Sequence, residues 1–449
     1  MLYLLPVIEA AHPQGWHGHQ SPHPSLAHRN RPATNYRRNF KKINLMAQKK
    51  KLMLLGGLRY LLPVIEAAHR HNIHVITVDY LPGNIAHKYS DEYHNVSIID
   101  KDAVFALAQE LQIDGIMSFA VDPGVVAAAY TAEKMGLPFQ CSYESACILQ
   151  DKSRFRKFLA DNGFNVPNAR GYSEQDNALK DIDYFNWPVI VKPVDSAGSK
   201  GVTRVDDPAG LPAAIAHALD CSHSRHFIIE DFLEKVGPSS DTDCFSVEGD
   251  LIFCTFNNQY FDADAENEYT PAAYSWPSSI PQWAQDELRS ELQRLVSLLN
   301  MKTGLYNIET RLCKNGKAYI MEVSPRAGGN RLAEMLKYVT GEDIIERATL
   351  AAVNEPFAPI GKGADQTRQH IVEIILHANR AGSFARLDIS PELRPIVVEE
   401  DLWIKPGTQV ETFTGANMAI GTLALRANSQ EDVSRIILQA KHGVQVMIS

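Results

Sequence analysis

Apolar residues between positions 51 and 134 form short runs that alternate with stretches of helical spacing. The runs 51–57, 73–80 and 114–120 predict strands, and the stretches 60–71, 103–111 and 125–134 predict helices. Strands that alternate with helices of about 10–15 residues are typical of a parallel sheet covered on both faces. We therefore predict an α/β fold that begins with a doubly wound domain.

The pattern changes after Asp151. A basic amphipathic helix at 151–167 precedes a strand at 187–193, a Gly/Ser loop and a strand at 226–235 that ends in acids. A long helix at 282–299 leads into two short apolar runs, and a Pro/Gly-rich connector leads into a last α/β segment. Because 449 residues suit two or three domains, we predict domains at 46–145, 146–360 and 366–449, with a lid subdomain at about 160–232.

Residues 1–45 differ from the rest of the chain. The ten residues 3–12, YLLPVIEAAH, recur exactly at 60–69, and the stretch between the copies is rich in Pro, His, Asn and Arg. Such a stretch has little to bury, so we expect it to be disordered. We expect the functional protein to begin near Met46, with the earlier residues a mis-called start, a duplication or an added segment. An Arg-rich organelle transit peptide is the alternative.

Charge and cysteine usage narrow the function classes. Residues 1–51 hold nine Lys/Arg against one acid, so the remainder carries −17 of the formal net charge of −9. A body this acidic disfavours nucleic-acid binding. The six cysteines show no CxxC pair or zinc spacing, which indicates reduced thiols and a cytoplasmic setting. No apolar run approaches the ~20 residues that span a bilayer, so no membrane partner is expected.

Two carboxylates and an arginine stand close together in the sequence. Glu309 ends one short apolar run, and Glu322 ends the next, followed by Arg326 and a Gly-Gly pair. Mg²⁺ usually takes one or two protein carboxylates together with substrate phosphates. Neighbouring strands would let Glu309 and Glu322 hold Mg²⁺ against a polyphosphate, with Arg326 facing an anionic substrate. A hairpin with surface acids is the alternative.

Residues that suit a polyphosphate lie upstream. Lys192 stands in an apolar strand, where an ammonium group is costly unless it meets an anion, and Lys152 opens the basic helix. The Gly/Ser loop can offer backbone N–H groups to phosphate oxygens. Its candidate nucleotide-binding residues are Ser196, Gly198, Ser199, Lys200 and Gly201. Taken alone, the loop is more typical of an ordinary hairpin turn.

An acidic strand end completes the set of candidates. Glu230, Asp231, Phe232 and Leu233 can present backbone groups to an adenine edge, with Glu230 accepting a hydrogen bond from the exocyclic amine. Asp241 and Asp243 follow a Gly-Pro-Ser-Ser loop and are candidates for the ribose hydroxyls. A salt-bridged strand end is the alternative for Glu230.

The order of these motifs, more than any one of them, resembles the ATP-grasp superfamily. The resemblance covers nearly the whole chain from Lys51, and residues 366–449 look like the C-terminal domain of bacterial L-amino-acid ligases. It implies that residues 46–145 are the domain that precedes the clasp and that Lys152 and Lys192 bind nucleotide phosphates. It also implies Mg²⁺ ligands at Glu309 and Glu322, and a catalytic group of Lys192, Glu322 and Arg326. Ser324 departs from the family's asparagine, and its hydroxyl, a bridging water or Asn330 would serve as a further metal ligand.

The resemblance implies an ATP- and Mg²⁺-dependent ligase, with Mn²⁺ as an alternative metal. Such an enzyme activates a carboxylate as an acylphosphate, transfers it to an amine and releases ADP and phosphate. The expected partners are a small carboxylate and an amine, such as amino acids, and a homodimer is an open option for its assembly. The alternatives are a bicarbonate-, formate- or purine-pathway-like enzyme and a non-catalytic nucleotide-binding regulator. The loop 257–276, rich in Tyr and acids, covers the second substrate or is a solvated surface.

Overall fold

The described part of the chain begins with a parallel sheet. The computed structural model describes residues 49–196, 198, 200–262, 265, 267 and 269–449, so the predicted disordered extension lies outside the described residues. The first elements are β1 Lys51–Leu55, α1 Leu62–Arg70, β2 His74–Val78, β3 Glu92–His94, α2 Lys101–Leu111, β4 Gly115–Ser118, α3 Val125–Met135 and α4 Tyr143–Gln150. The strands pair in the order β3-β2-β1-β4, and all neighbours are parallel. Alternate residues of β1 enter two different cores, which explains why this strand is apolar throughout.

A second sheet follows, and it is antiparallel. Its elements are α5 Lys152–Asp161, β5 Ala169–Tyr172, α6 Gln175–Lys180, β6 Val189–Pro193, β7 Thr203–Val205, α7 Leu211–Cys221 and β8 Phe227–Asp231. The strand order is β5-β8-β6-β7. Helix α7 packs its apolar side on this sheet, with Leu211 and Ile215 buried against Val189 and Phe227. The sheet presents Lys192 and Glu230 on neighbouring strands.

A third sheet carries the predicted metal acids. The elements are β9 Ser240–Val247, β10 Asp250–Cys254, β11 Asn258–Phe261, β12 Pro271–Trp276, α8 Gln282–Leu298, β13 Gly304–Leu312, β14 Ala318–Ser324, α9 Leu332–Thr340 and α10 Ile344–Ala352. The strand order is β10-β9-β13-β14. Leucines at 288, 292 and 295 of α8 join the core beneath the sheet, because they share one face of the helix.

The last segment adds β15 His370–Leu376, β16 Gly382–Ile389, β17 Val397–Leu402, β18 Gln409–Val410, β19 Gly421–Ala427, α11 Gln430–Gly443 and β20 Val444–Ile448. Strands β15, β19 and β17 continue a sheet that begins with β11 and β12, in the order β11-β12-β15-β19-β17. A three-stranded sheet has the order β18-β16-β20. One sheet thus crosses the boundary expected between residues 360 and 366, and the division into domains stays a prediction.

The structure corrects one element and confirms the class. Residues 257–276, expected to be a loop, form the β11–β12 hairpin, and its polar residues Asn258 and Gln259 are buried. Polar residues on buried strands hide the usual apolar alternation, which explains the wrong prediction. The α/β fold class with parallel and antiparallel sheets is confirmed. Within the described part of the chain, no helix has the length and apolar composition needed to cross a membrane.

Candidate functional site

Three carboxylates form a row across the third sheet. Asp241 on β9 pairs in register with Glu309 on β13, which pairs in turn with Glu322 on β14. Residues directly opposite each other share one face of an antiparallel sheet, with Cβ atoms about 5 Å apart. The side chains of Glu309 and Glu322 remain 31% and 35% exposed, so both can reach a ligand. The structure therefore places the two predicted metal acids together and adds Asp241.

This donor set fits Mg²⁺ held jointly with phosphates. No group of three or more Asp, Glu, His or Cys side chains among the described residues has the geometry of a complete metal site. Mg²⁺ does not require one, because it usually takes one or two carboxylates and completes its shell with phosphates and water. Glu309 and Glu322 would supply those carboxylates.

Lys152 lies next to one of these acids, and Lys192 pairs with Glu230. Lys152 Nζ donates to the Ser196 carbonyl at 2.9 Å and lies 3.7 Å from Glu322 Oε2. Lys192 Nζ donates to Glu230 Oε1 at 2.5 Å. Burial lowers the pKa of Lys192, and the nearby charges of Arg156 and Lys152 lower it further, although Glu230 opposes them. Lys152 thus stands beside Glu322, and its charge acts on Lys192. Nucleotide phosphates would neutralise the repulsion between the two ammonium groups.

Glu230 has partners that differ from the predicted adenine amine. Its side chain is only 4% exposed, and its carboxylate accepts from Arg156 Nε at 2.9 Å as well as from Lys192. Arg156 also donates to the Met321 carbonyl at 2.7 Å, which ties the second sheet to β14. Glu230 therefore anchors two buried cations, and the adenine prediction now depends on the backbone of residues 231–233.

Residues 231–233, the rest of the predicted adenine-binding segment, lie at and just after the end of β8. The Asp231 carboxylate accepts from Asn168 and from the backbone and side chain of Asn186, so it turns away from the metal acids. The Phe232 N–H donates to the Pro188 carbonyl at 2.9 Å. Leu233 packs against the small cluster that contains Met321. Leu233 thus stays a predicted adenine-binding residue.

Arg326 is held by a residue that the sequence did not indicate. Its Nε and one terminal nitrogen donate to the two oxygens of Asp122, at 2.7 and 2.8 Å. Burial alone would lower the pKa of Arg326, but Asp122 outweighs burial and raises it. A guanidinium has five N–H donors. Asp122 uses two and the Ala327 carbonyl a third, which leaves two for a substrate.

The structure does not support Ser324 as a metal ligand. Its hydroxyl accepts from Gln150 Nε2 at 2.6 Å and donates to Asp122 Oδ1 at 3.0 Å, and the residue is 1% exposed. Both contacts turn the oxygen toward α4 and the parallel sheet. Ser324 thus helps to hold Asp122 against Arg326.

Asp243 is not positioned as a ribose ligand either. It is fully buried, and its Oδ1 accepts from the Gly328 N–H at 2.7 Å and from Asn307 at 3.2 Å. Asp241 on the same strand is partly exposed. Asp241 and Asp243 are two residues apart on β9, so their side chains lie on the same face of the sheet. Of the two, only Asp241 is accessible to a ligand.

The Gly/Ser loop is described at four of its five candidate positions, which are Ser196, Gly198, Lys200 and Gly201. Ser196 accepts from Lys152, Lys200 is exposed, and residues 197 and 199 lie outside the described residues. Gly198 and Gly201 have φ of +67° and +72°. A Cβ at Gly201 would lie 2.7 Å from Cys221 Cβ, whereas one at Gly198 would meet nothing within 4 Å. The loop is therefore anchored at one glycine and open at the other.

These glycines give a matched prediction. Gly201→Ala should destabilise the protein by about 2 kcal/mol or more, because left-handed backbone strain of about 1–2 kcal/mol adds to the clash. Gly198→Ala carries the strain alone and should cost about 1 kcal/mol. Urea unfolding of the two variants measures the difference. Equal losses would show that the packing around Gly201 yields freely.

Sequence reasoning missed Asp122, Gln150, Arg156 and Asn307. Asp122 follows the carboxyl end of β4, which is where ligand-binding groups gather in open parallel sheets, so its position was a usable signal. Arg156 lies one turn after Lys152 on α5 and faces the same side. Gln150 and Asn307 carry no such signal, because their partners come from distant parts of the chain.

Comparisons with known proteins agree with this geometry. Residues 185–334 match the model of the ATP-grasp domain. The carbamoyl phosphate synthase large chain of Ralstonia nicotianae is 25% identical over 55% of this chain and 20% of its own length. The formate-dependent phosphoribosylglycinamide formyltransferase of Prochlorococcus marinus is 24% identical over 88% of this chain and 99% of its own. The chain thus spans a fifth of the first relative and nearly all of the second.

A solved structure shows the same fold. The L-amino acid ligase of Bacillus licheniformis superposes with a TM-score of 0.72 at 19% identity, over 89% of this chain and 99% of the ligase. ATP-grasp enzymes use ATP and Mg²⁺. These are the ligands predicted for the lysines and the acids. Residues 185–334 of this chain are an ATP-grasp domain, and the superfamily predicted from the order of its motifs is confirmed.

Proposed function

We propose that this protein is an ATP-dependent ligase that activates a carboxylate and transfers it to an amine, releasing ADP and phosphate. The observation that carries the proposal is the register pairing of Glu309 with Glu322, with Lys152 Nζ 3.7 Å from Glu322. The relatives support the reaction class, since the L-amino acid ligase shares the fold and the formyltransferase spans nearly the same length.

Each group has a defined task in this reaction. ATP would supply the phosphoryl group, and Glu309 and Glu322 would hold a Mg²⁺ ion that neutralises the charge of its phosphates. Lys152 and Lys192 bind phosphate oxygens, and phosphoryl transfer depends on such positioning and charge neutralisation rather than on covalent protein chemistry. Arg326 uses its two remaining N–H donors to orient the substrate carboxylate. The Gly/Ser loop covers the site and excludes water that would hydrolyse the acylphosphate.

Two alternative functions are distinguished by the experiment described below. Carbamoyl phosphate synthase and the formyltransferase are 25% and 24% identical to this chain, compared with 19% for the L-amino acid ligase. A bicarbonate- or formate-type acid is therefore the alternative carboxylate. A non-catalytic nucleotide-binding protein is the alternative of a different class. We further propose small-molecule partners and a homodimer.

The test measures nucleotide and phosphate release from Mg·ATP by the full chain. Pooled carboxylates, including bicarbonate and formate, are supplied with and without pooled amines. We expect ADP and phosphate only when both pools are present, after which the pools are deconvoluted. AMP and pyrophosphate would contradict the acylphosphate mechanism. Binding of Mg·ATP without turnover would favour the regulatory alternative.

A further inference from the structure

Three residues that neighbour Tyr274 carry buried oxygen atoms without hydrogen-bond partners. On the sheet that joins β11, β12 and β15, Gln259 pairs in register with Tyr274, and Tyr274 pairs with Glu373. Within the described residues, Gln259 Oε1, Asn330 Oδ1 and both carboxylate oxygens of Glu373 have no partner. These residues are 5%, 4% and 0% exposed. A buried acceptor without a donor costs about 1–3 kcal/mol, so a cluster of four indicates a missing donor.

The amide orientations follow from the neighbouring contacts. Gln259 Nε2 donates to Asp241 Oδ2 at 3.3 Å, and Asn330 Nδ2 donates to the Tyr274 hydroxyl at 3.3 Å. The Tyr274 hydroxyl donates to Asp241 Oδ2 at 3.1 Å. Each amide nitrogen thus makes one of these contacts, whereas the oxygens of both amides have no partner. The cluster also adjoins the candidate reaction site, because Asp241 stands in register with Glu309.

The nearest cation is already committed. Arg331 donates to Glu334 at 2.9 Å, to Glu399 at 2.8 Å and to the Thr422 hydroxyl at 2.9 Å. Burial raises the pKa of Glu373 well above its ordinary value, although the Arg331 charge opposes this. The environment of Glu373 is therefore short of positive charge as well as of hydrogen-bond donors.

We propose that Gln259, Asn330 and Glu373 form a binding site for an ammonium group of a substrate. An ammonium group carries three donors and a positive charge, which match the amide oxygens and the carboxylate. The inference rests on the proposed function for the identity of its ligand. Two sources share this chemistry: the amino group of the activated carboxylate substrate and the amine that receives the acyl group.

The experiment compares the full-length wild type with Glu373→Gln, which keeps the shape and removes the charge. Glu400→Gln, an exposed acid on β17, is the matched control. Hydroxylamine traps the acylphosphate formed from Mg·ATP and the 20 standard amino acids, and amino-acid amides with ammonium chloride serve as amines. A charge-assisted hydrogen bond contributes about 1.5–3 kcal/mol, so we expect KM for the ammonium-bearing substrate to rise about 10–100-fold. The KM for ATP should stay unchanged.

The trapping assay and the assay with amides together identify which substrate carries the bound ammonium group. A raised KM for the amino acid in the trapping assay assigns the ammonium to the carboxylate substrate. A raised KM for the amide alone, with trapping unchanged, assigns it to the receiving amine. Unchanged KM values in both arms would overturn the inference and leave a water-filled polar cluster. Absence of hydroxamate with the wild type would instead contradict the proposed function.

A second measurement needs no turnover. Methylammonium chloride should raise the Tm of the wild type more than potassium chloride does at equal ionic strength, because a ligand that binds the folded state stabilises it. Glu373→Gln and Gln259→Met should each lose this difference. Equal effects of the two salts on the wild type would overturn the inference, whatever the substrates are.

Discussion

Glu322→Gln should lower the rate of ADP formation by about 10²–10³-fold or more, comparable to the loss when one preorganised electrostatic contact to a transition state is removed. Glu322 is one of two carboxylates paired in register and lies 3.7 Å from Lys152. Glutamine keeps the shape but cannot neutralise a divalent cation. ADP release at saturating ATP and several Mg²⁺ concentrations measures the effect, and raised Mg²⁺ should restore part of the rate.

The fold should survive this substitution. The Glu322 side chain is 35% exposed, and its contact with Lys152 is too long for a strong ion pair, so we expect a stability change below about 1 kcal/mol. Glu66→Gln on the exposed side of α1 provides a control that should leave the rate unchanged. Activity of Glu322→Gln within two-fold of the wild type would contradict the metal assignment.

The predictable part of the site is the part built from neighbouring segments. Glu309 and Glu322 lie on consecutive strands, so their pairing follows from a short hairpin. Lys192 was found because a lysine in an apolar strand needs an anion. The local sequence was therefore sufficient to predict both the pairing of the two acids and the need of Lys192 for an anion.

The remainder depends on distant contacts. Asp122 comes from the parallel sheet and Arg326 from the segment after β14, and the single sequence does not indicate that their side chains meet. The sequence likewise does not indicate that the Ser324 hydroxyl donates to Asp122 instead of binding a metal. The hairpin of β11 and β12 was missed because its buried face is polar, and that face carries the proposed ammonium site.

Glu230→Gln should destabilise the protein by about 3–5 kcal/mol at pH 7, because removing one partner of a buried ion pair leaves its counter-charges uncompensated. Glu230 accepts from Arg156 at 2.9 Å and from Lys192 at 2.5 Å. A neutral amide would leave both cations without a counter-ion. Urea unfolding measures the loss, and Asp161→Asn, in the exposed pair with Lys157, is the control expected to cost less than about 0.5 kcal/mol.

The pH dependence of this loss has a definite sign. Burial alone would raise the pKa of Glu230, but Arg156 and Lys192 outweigh burial and lower it from 4.5 to about 2. A carboxylate with a lowered folded-state pKa stabilises the protein fully above its unfolded-state pKa. That contribution, about 3 kcal/mol, is lost as pH falls from about 4.5 toward 2. The stability gap between wild type and Glu230→Gln should therefore narrow below pH 4.5.

A stability gap that stays constant down to pH 3 would show that Glu230 acts through shape rather than charge.

The KM for ATP tests whether Glu230 also positions Lys192. Lys192 depends on Glu230 for its position, so a freed lysine should bind phosphate less well and raise KM for ATP in Glu230→Gln. If KM for ATP stays unchanged while stability falls, Glu230 holds the second sheet against β14 through Arg156 alone, and Lys152 and the Gly/Ser loop position the phosphates.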